Sequence, residues 1–520
     1  MKKFNSKKIL FFSFLICLNL YAYRYYILDF INNKLYGEYT LEELTTEQKL
    51  SDFDEFYTTI ISSVPYLDEL KALYHIDFAE RRDYYREEIR KTENNYQFYC
   101  TMKAISKDLA SFHTDICFPL YANLRGISCY HSRKVLSDLG RKVRIDAWTE
   151  EIGKAIGEYE NVSILRVGYV DGKYVADEMF LPDQYSDLQG CELVKIDGEA
   201  ADQYIVEHIS TFKLLYDSIW HKAYRQSYAL NDCRGQAVWV TWSNGEEEKT
   251  IEMYLDLGAE VASSYGHLFS NKWKSSYVPS VQMYRDDEHQ LEYIQVNNFE
   301  NNEGDALKTY LENMIYDTVV IDFRDNYGGT IDYAKKYIYP ALYEQNVSQR
   351  YEWIVPDSAS NRAMITDWTV RLGYRHRQDN VLHYYTAKQS YRGRAKTMRQ
   401  IYYLVGPGTG SAADTYVEMI KENQLGRIVG SSTGGEGLGA SFICNALGNS
   451  SLVYVYYPSV AWDEEMQEKL YEGTAPDYYV GLSYEDYLRK QRDLRDGTAG
   501  EYANRLEYDT VLKWVIENKK

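Results

Sequence analysis

A serine lies where a predicted strand passes into a predicted helix, in the stretch GPGTGSAADTYVEMI that begins at Gly406. The β-branched and aromatic run at residues 401–405 predicts a buried strand, and the glycines after it end that strand. A helical pattern starts directly after Ser411. The free N–H groups at the start of a helix can stabilise an oxyanion that develops beside a serine hydroxyl. Ser411 is therefore a candidate nucleophile, although a serine here could also serve only as a helix N-cap.

A second polar motif follows another buried-type strand, in the stretch TVVIDFRDNYGGT at residues 318–330. It places Asp322, Arg324 and Asn326 ahead of two adjacent glycines, Gly328 and Gly329. Glycines at the end of a strand let the backbone approach a ligand closely. The same pair could also form an ordinary Gly-Gly turn.

These two motifs and a third, G-x-x-T-x-G from Gly430 to Gly435, occur in one order: D-x-R-x-N-x-G-G, then G-x-x-S-A-A-D, then G-x-x-T-x-G. In order and spacing the chain resembles the C-terminal-processing (tail-specific) serine peptidases and the related tricorn core, from residue 53 to the C-terminus. The resemblance implies Ser411 as nucleophile and an oxyanion hole of backbone N–H groups. The residues it implies for that hole are Ala412 with Gly328 or Gly329, and the supporting motif residues are Asp322, Arg324, Asn326 and Thr433.

The general base departs from the commoner pattern of that family. Many members carry a lysine just after G-x-x-T-x-G, but this sequence has Glu436 there. Lys421 lies ten residues along the helix from Ser411, about 15 Å away at the helical rise, and cannot reach it. The tricorn-like branch uses a histidine, and His113 occupies the matching position after a predicted helix. An imidazole with an ordinary pKa near 6.5 suits proton transfer at neutral pH.

A carboxylate should orient the second nitrogen of His113. Glu472 is the first choice, because it follows Ser411 by 61 residues and belongs to the E-G-x-x-P-D motif that the resemblance matches. Glu468 is the second choice. Glu436 is the third, since the glycine-rich loop could carry it into the site.

The amino-acid composition limits which kinds of partner the protein is expected to bind. The net charge is 58 − 77 = −19, which argues against nucleic acid as a partner, because a phosphate backbone needs a basic face. No CxxC pair or His-rich spacing predicts a metal site, and no cofactor is expected. The expected partner is a peptide or protein substrate.

Four lysines precede an apolar run at residues 9–23, which predicts a signal peptide or an N-terminal membrane anchor over residues 1–33. Residues 40–118 read as a helical domain that ends at the His113 turn, with a capping box at Thr40 and Glu43. A helix with apolar residues from Phe98 to Phe112 closes this domain.

Residues 155–260 are predicted to form a β-rich, PDZ-like domain, and residues 288–520 the peptidase domain with an insertion at 344–400. The predicted fold class is thus an α/β catalytic core of ClpP/crotonase-like βα units with a helical domain before it.

The predicted function is an exported serine endopeptidase, extracytoplasmic or anchored to the outer face of the plasma membrane. A catalytically inactive peptide- or ligand-binding member of the same fold is the alternative, because a glutamate replaces the lysine. A crotonase-like enzyme that acts on thioesters is a third hypothesis, and the Ser-Ala-Ala sequence at the start of the helix argues against it.

Overall fold

The structure is a computed structural model, and it describes residues 41–120, 141–177, 181–270, 280–300, 302–349, 352–365, 374–378, 381–385, 389–396, 398–436, 443–458, 460–462, 473–496 and 502–519. The apolar run at residues 9–23 and the carboxylates Glu468 and Glu472 lie outside these ranges. Within them, no helix is both long and apolar enough to cross a membrane.

The N-terminal region is built from four helices: α1 (Thr46–Ser63), α2 (Leu67–Tyr74), α3 (Arg82–Arg90) and α4 (Asn95–Lys107). The capping box of α1 is formed by Thr45 and Gln48. Thr40, the N-cap of the predicted capping box, lies outside the described residues. Its predicted partner Glu43 accepts a hydrogen bond from the backbone N–H of Asn95 at 2.9 Å.

Helix α4 ends at Lys107, earlier than the apolar pattern through Phe112 predicts. Ala110 takes a left-handed backbone conformation with φ of 52°, which turns the chain out of the helix. His113 consequently lies beyond the helix, in a turn that leads into β1 (Asp115–Ile116). The buried Lys103 of α4 binds the Asp115 carboxylate at 2.8 Å and so fixes β1 against the helix.

The middle region follows α5 (Arg141–Gly157) and contains one seven-stranded antiparallel sheet, the hairpin β6–β7 and the helices α6 (Ala201–Glu207) and α7 (Leu257–Tyr265). The strand order in the sheet is β3-β2-β8-β10-β9-β4-β5. The PDZ-like interpretation of this region stays a prediction. The strands are β2 (Ile164–Val170), β3 (Lys173–Ala176), β4 (Glu192–Ile196), β5 (Glu199–Ala200), β6 (Leu214–Asp217), β7 (Lys222–Arg225), β8 (Ser227–Asn231), β9 (Gln236–Ser243) and β10 (Glu248–Leu255).

A six-stranded sheet forms the C-terminal half, in the order β11-β12-β13-β19-β20-β24. All its neighbours pair in parallel except β11 and β12. The strands are β11 (Val281–Asp286), β12 (Leu291–Val296), β13 (Thr318–Asp322), β19 (Gln400–Val405), β20 (Arg427–Gly430) and β24 (Tyr478–Tyr479). Strands β12, β13 and β19 are almost wholly buried, as expected of parallel strands covered on both faces.

Helices cover both faces of this sheet. One face packs on α8 (Gly304–Glu312) and α12 (Ala412–Glu422), together with α9 (Ile331–Tyr333), the π-helical turn Ala334–Ile338 and α10 (Tyr339–Leu342). Helix α11 (Ala359–Ile365) lies in the segment before β19. The other face packs on α14 (Tyr502–Tyr508) and α15 (Thr510–Asn518), and α13 (Tyr484–Asp496) contacts α14. The carboxyl ends of β13 and β19 meet at one edge, where the two polar motifs begin.

The segment between β13 and β19 and the segment after β20 supply three smaller sheets. In the first segment, β14 (Val347–Gln349) pairs with β18 (Gln389–Tyr391), and β15 (Glu352–Pro356), β16 (Tyr374–Gln378) and β17 (Val381–Tyr385) form a sheet with β23 (Val460–Trp462). Strands β21 (Ile443–Ala446) and β22 (Val453–Tyr456) pair with each other, and β22 also pairs with β1. That last pairing brings the His113 turn of the helical region to the C-terminal half.

Candidate active site

Ser411 stands at the first turn of α12, directly after the loop that leaves β19. Its backbone has φ of 54° and ψ of −126°, a conformation that costs a residue with a side chain on the order of 1–3 kcal/mol. Its N–H donates to the Gly435 carbonyl at 3.0 Å, and Gly410 and Gly435 form an isolated parallel bridge. Its side chain does not cap the helix, so the N-cap alternative lacks the hydrogen bond that would define it.

The glycine motif lies against this serine. A Cβ placed on Gly328 would meet the Ser411 Cβ at 2.6 Å and the Ala412 nitrogen at 2.9 Å, and φ at Gly328 is 98°. No side chain fits there, which is why the motif needs glycine.

The two glycine N–H groups differ in what they can do. The Gly328 N–H already donates to the Asn326 Oδ1 at 2.9 Å. Among the contacts of the described residues, neither the Gly329 N–H nor the Ala412 N–H donates to a protein acceptor. Of the pair left open by the sequence, Gly329 is therefore the better oxyanion donor, with Ala412 as its companion.

Asn326 shapes this loop and is fully buried. Its Nδ2 donates to the Val296 carbonyl at 2.9 Å, and its own carbonyl accepts the Gly410 N–H at 2.9 Å. The side chain of Asn326 thus connects β12 to the glycine turn, and its backbone carbonyl connects the turn to the approach to Ser411. Its role is to position the backbone.

His113 reaches Ser411 from the other end of the sequence. Its Nε2 lies 3.1 Å from the Ser411 Oγ, and its Nδ1 lies 3.0 Å from an oxygen of Glu436. The imidazole stacks on the Tyr457 ring with centroids 4.7 Å apart. A carboxylate can only accept hydrogen bonds, so Nδ1 carries the proton and the Nε2 lone pair faces the serine hydroxyl.

The carboxylate on His113 is Glu436, the third choice from the sequence. Glu472, the first choice, lies outside the described residues, so its position is not described. In the structure, Glu436 lies beside the Nδ1 of His113, where the sequence predicts Glu472. Glu436 has φ of 60° and directly follows Gly435, which bridges to Gly410. The residue that stands where many relatives have a lysine base therefore meets the histidine.

Glu436 is 5% exposed and is surrounded by donors. It accepts the Ser111 hydroxyl at 2.7 Å, the Phe112 N–H at 2.6 Å and the Lys213 ammonium at 3.1 Å, besides His113. Burial by itself would raise the pKa of Glu436, but the charge of Lys213 and the hydrogen bonds outweigh it and lower the pKa to about 2. The group is therefore an anion at every pH at which the protein would work.

The remaining motif residues support the site from outside. Arg324 forms a bidentate pair with Asp322 and also binds Asp509, the N-cap of α15, at 2.8 Å. The Thr433 hydroxyl donates to the Asp414 carboxylate, which also accepts the Thr474 hydroxyl at 2.8 Å. These contacts fix the sheet edge and α12 without touching Ser411 or His113.

Three contributors were not assigned from the sequence. Asp414 was visible as the last residue of the S-A-A-D motif, and Ser111 lies two residues before His113. No sequence motif indicates a functional role for Lys213, because its segment in the middle region matches none. Only the fold shows that it reaches the site.

A cavity of about 450 Å³ opens beside these loops. Its walls come from the 324–327 loop, the 406–408 loop, the β6–β7 hairpin and the C-terminal helices. Tyr327, which precedes the glycine pair, and Trp220 of the hairpin both line it and are about half exposed. A concave site with apolar and polar walls can hold part of a substrate, and this one lies against the loops that lead to Gly328 and Ser411.

A serine hydroxyl, an imidazole and a carboxylate in hydrogen-bonded sequence, beside free backbone N–H groups at the carboxyl edge of an α/β sheet, have the geometry of a serine hydrolase. Residues 290–480 match the model for Peptidase family S41. The chain therefore carries a peptidase family S41 domain and is a serine peptidase. The predicted resemblance to the C-terminal-processing type and the predicted enzyme class are both confirmed.

Solved structures are similar to this chain, and the first of the following shows its fold. A serine-to-alanine variant of CPAF is 12% identical, with a TM-score of 0.51 over 91% of this chain and 98% of that one. Mature CPAF in complex with lactacystin is 10% identical, with a TM-score of 0.49 over 91% and 99%. The photosystem II D1 C-terminal processing protease is 14% identical, with a TM-score of 0.33 over 89% and 99%. No curated protein sequence matches this chain.

Proposed function

We propose that the protein is an endopeptidase that cleaves peptide or protein substrates through an acyl-enzyme on Ser411. The observation that carries this proposal is the contact of the Ser411 Oγ with the His113 Nε2 at 3.1 Å, while Nδ1 is bound to an ionised carboxylate. A serine hydroxyl needs such a base to become a useful nucleophile.

In the first half-reaction the Ser411 Oγ attacks the peptide carbonyl carbon while the His113 Nε2 takes its proton. The oxyanion lies between the N–H groups of Ala412 and Gly329. His113 then gives the proton to the leaving amine, and the acyl-enzyme remains. Water, deprotonated by the same nitrogen, attacks the acyl carbon and releases the carboxylic acid and the free serine.

The inactive, ligand-binding alternative is not favoured. It was motivated by the glutamate at the lysine position, and that glutamate is the group that holds the histidine. The missing lysine base is thus replaced by His113, which is held by Glu436.

Labelling and hydrolysis test the proposal together. Wild-type protein should react with a fluorophosphonate probe and hydrolyse casein, whereas Ser411→Ala should do neither and should retain only the residual rate of an oxyanion hole, on the order of 10³–10⁴ over water. Equal hydrolysis by both proteins would contradict the assignment of Ser411. Peptide binding without labelling or hydrolysis by the wild type would restore the inactive alternative.

We also propose export of the peptidase region, on the basis of the lysine-flanked apolar run at residues 9–23. β-Galactosidase, which is active only in the cytoplasm, should be inactive when fused after Asn33, and alkaline phosphatase fused at the same point should be active. The reverse pattern would refute export.

A further inference from the structure

Lys213 brings a positive charge from the middle region to the catalytic carboxylate. Its Nζ lies 3.1 Å from the Glu436 Oε1, on the oxygen that does not face His113, and its side chain is 10% exposed. The same ammonium lies over the face of the Phe112 ring, at 2.9 Å from the ring centroid. The Lys213 ammonium is therefore held in place by its contacts with the Glu436 carboxylate and with the ring of Phe112, the residue before His113.

The segment that carries Lys213 is fixed on both sides. Before it, the Ser210 hydroxyl and the Thr211 N–H and hydroxyl all donate to the buried Glu260 of α7. Beside it, the Arg225 guanidinium donates to the Phe212 carbonyl at 2.8 Å. The backbone that delivers the ammonium is therefore held by contacts on each side.

The same arginine connects this segment to the histidine side of the site. Arg225 binds the Asp108 carboxylate at 2.8 Å, and both side chains are fully buried. Asp108 is the C-cap of α4, five residues before His113. The middle region and the His113 turn therefore share one buried ion pair, which keeps Lys213 and His113 at a fixed separation around Glu436.

We propose that Lys213 is a positioning residue of the catalytic unit, which holds the second oxygen of Glu436 and limits how strongly this carboxylate attracts the imidazolium of His113. This inference rests on the proposed peptidase mechanism and adds a fourth member to it. It also means that the peptidase domain cannot complete its site without the middle region.

Two features fit this role. The Ser111 hydroxyl and the Phe112 N–H also donate to Glu436 and favour its ionised form without the cation, so the loss of Lys213 leaves a charged carboxylate against Nδ1–H. Burial also lowers the pKa of Lys213 itself to about 8, with Glu436 acting in the opposite direction. The other ionisable groups that act here are Lys107, which repels Lys213, and Tyr66, which is buried near Glu436.

The test compares Lys213→Met with Lys213→Arg. Removing the cation leaves the full charge of Glu436 to His113 and so favours imidazolium. The acid limb of the kcat/KM profile of Lys213→Met should therefore move to higher pH, by about one unit, with a fall in kcat on the plateau. Lys213→Arg keeps the charge and should keep the wild-type acid limb. Lys49→Met is the control, because Lys49 is also a buried lysine but binds the Thr92 and Asn94 carbonyls.

A second readout does not depend on turnover. In a Ser411→Ala background, the imidazole of His113 can be titrated by NMR and assigned by comparison with His113→Gln. Its pKa should rise on adding Lys213→Met and stay on adding Lys213→Arg. If the wild type hydrolyses no substrate, the proposed function fails while this titration still decides the role of Lys213.

An unchanged acid limb and an unchanged imidazole titration in Lys213→Met would overturn the proposal. An equal shift in Lys213→Arg would also overturn it, since packing rather than charge would then be the cause. Lys213→Gln removes the charge while keeping a donor, and it carries the same expectation if Lys213→Met does not fold, as judged by circular dichroism.

Discussion

At the residue scale, two of the three catalytic candidates have positive φ values without being glycine. Ser411 and Glu436 each follow one of the two glycines that form the Gly410–Gly435 bridge. Backbone conformations of this kind persist where the surrounding structure enforces them, and they cluster at active sites. The Gly410–Gly435 bridge thus fixes the backbone at both the nucleophile, Ser411, and the carboxylate, Glu436.

The strain at Ser411 predicts a difference between two inactive variants. Ser411→Gly and Ser411→Ala both remove the nucleophile, but only glycine relieves the backbone at φ of 54° and ψ of −126°. The free energy of unfolding of Ser411→Gly should therefore exceed that of Ser411→Ala by about 1 kcal/mol. Urea denaturation measures it, and equal stabilities would show that this conformation stores no strain.

The assignment of Glu436 predicts an unequal effect of two amide substitutions. Glu436→Gln should lower kcat by roughly 10²–10⁴, because the amide no longer fixes the Nδ1–H tautomer of His113. Glu472→Gln should cost much less.

The pH profile supplies the control for this comparison. The pKa of Glu436 is lowered to about 2, so this carboxylate stays ionised as the pH falls through 6 and does not produce an acid limb near neutral pH. Kinetics of both variants on one peptide decide between the two glutamates. A larger loss in Glu472→Gln would return the role to the first choice from the sequence.

At the element scale, a buried ion pair connects the central sheet to the last helix. Arg324 leaves the end of β13 and binds Asp322 on its own strand and Asp509 at the start of α15. Asp322 also accepts the Tyr293 hydroxyl at 2.6 Å. The motif residues Asp322 and Arg324 are therefore structural, and they hold the strand whose end carries the glycine turn.

Removing the helix side of this pair should destabilise the fold. Asp509→Asn leaves Arg324 with one carboxylate and should lower the free energy of unfolding by about 1.5–3 kcal/mol. Glu87→Gln is the control, because its exposed pair with Arg90 should be worth less than about 1 kcal/mol. Similar losses in both variants would refute the structural role.

The same carboxylate should contribute to acid unfolding. Burial alone would raise the pKa of Asp509, but Arg324 holds it below its usual range. Its contribution to stability is then present above the unfolded-state value of about 3.9 and is lost as the pH falls below it. Urea midpoints between pH 5 and pH 2 should accordingly fall less steeply for Asp509→Asn than for the wild type.

The elements that could be predicted from the sequence are those whose signal is local. The strand, the glycines and the helix around Ser411 follow from residue types within one window, and so does the turn at Gly328 and Gly329. The contact of Glu43 with the Asn95 N–H, 52 residues further along the chain, has no local signal. Glu436 directly follows the G-x-x-T-x-G motif but ranked third, and Lys213 belongs to no motif, because each reaches the site through tertiary contacts.

At the scale of the whole molecule, the active site is assembled from three regions. The helical region supplies His113, the middle region Lys213, and the C-terminal half Ser411 and Glu436. The cavity beside the site is built in the same way, from the glycine loop, the β6–β7 hairpin and the C-terminal helices. Substrate contacts should therefore include side chains far from the peptidase motifs.

Two tryptophans of the middle region test this expectation. Trp220 lines the cavity and Trp239 lies on β9 away from it, and both are about half exposed. Trp220→Ala should raise KM roughly tenfold, the equivalent of about 1.4 kcal/mol of lost apolar contact, with little change in kcat. Trp239→Ala should leave both constants unchanged. Steady-state kinetics on a peptide with aromatic residues measures this, and equal effects would remove the cavity from the substrate path.

The distance along the chain between the catalytic residues bears on how the protein is made. His113 precedes Ser411 by 298 residues and Glu436 by 323. At about 5–20 residues per second, a ribosome adds the nucleophile about 15–60 s after the histidine. Glu436 follows 25 residues after the nucleophile. The active site of a nascent chain therefore cannot form before Glu436 has been synthesised, and until then the order of translation alone shields the cell from the peptidase.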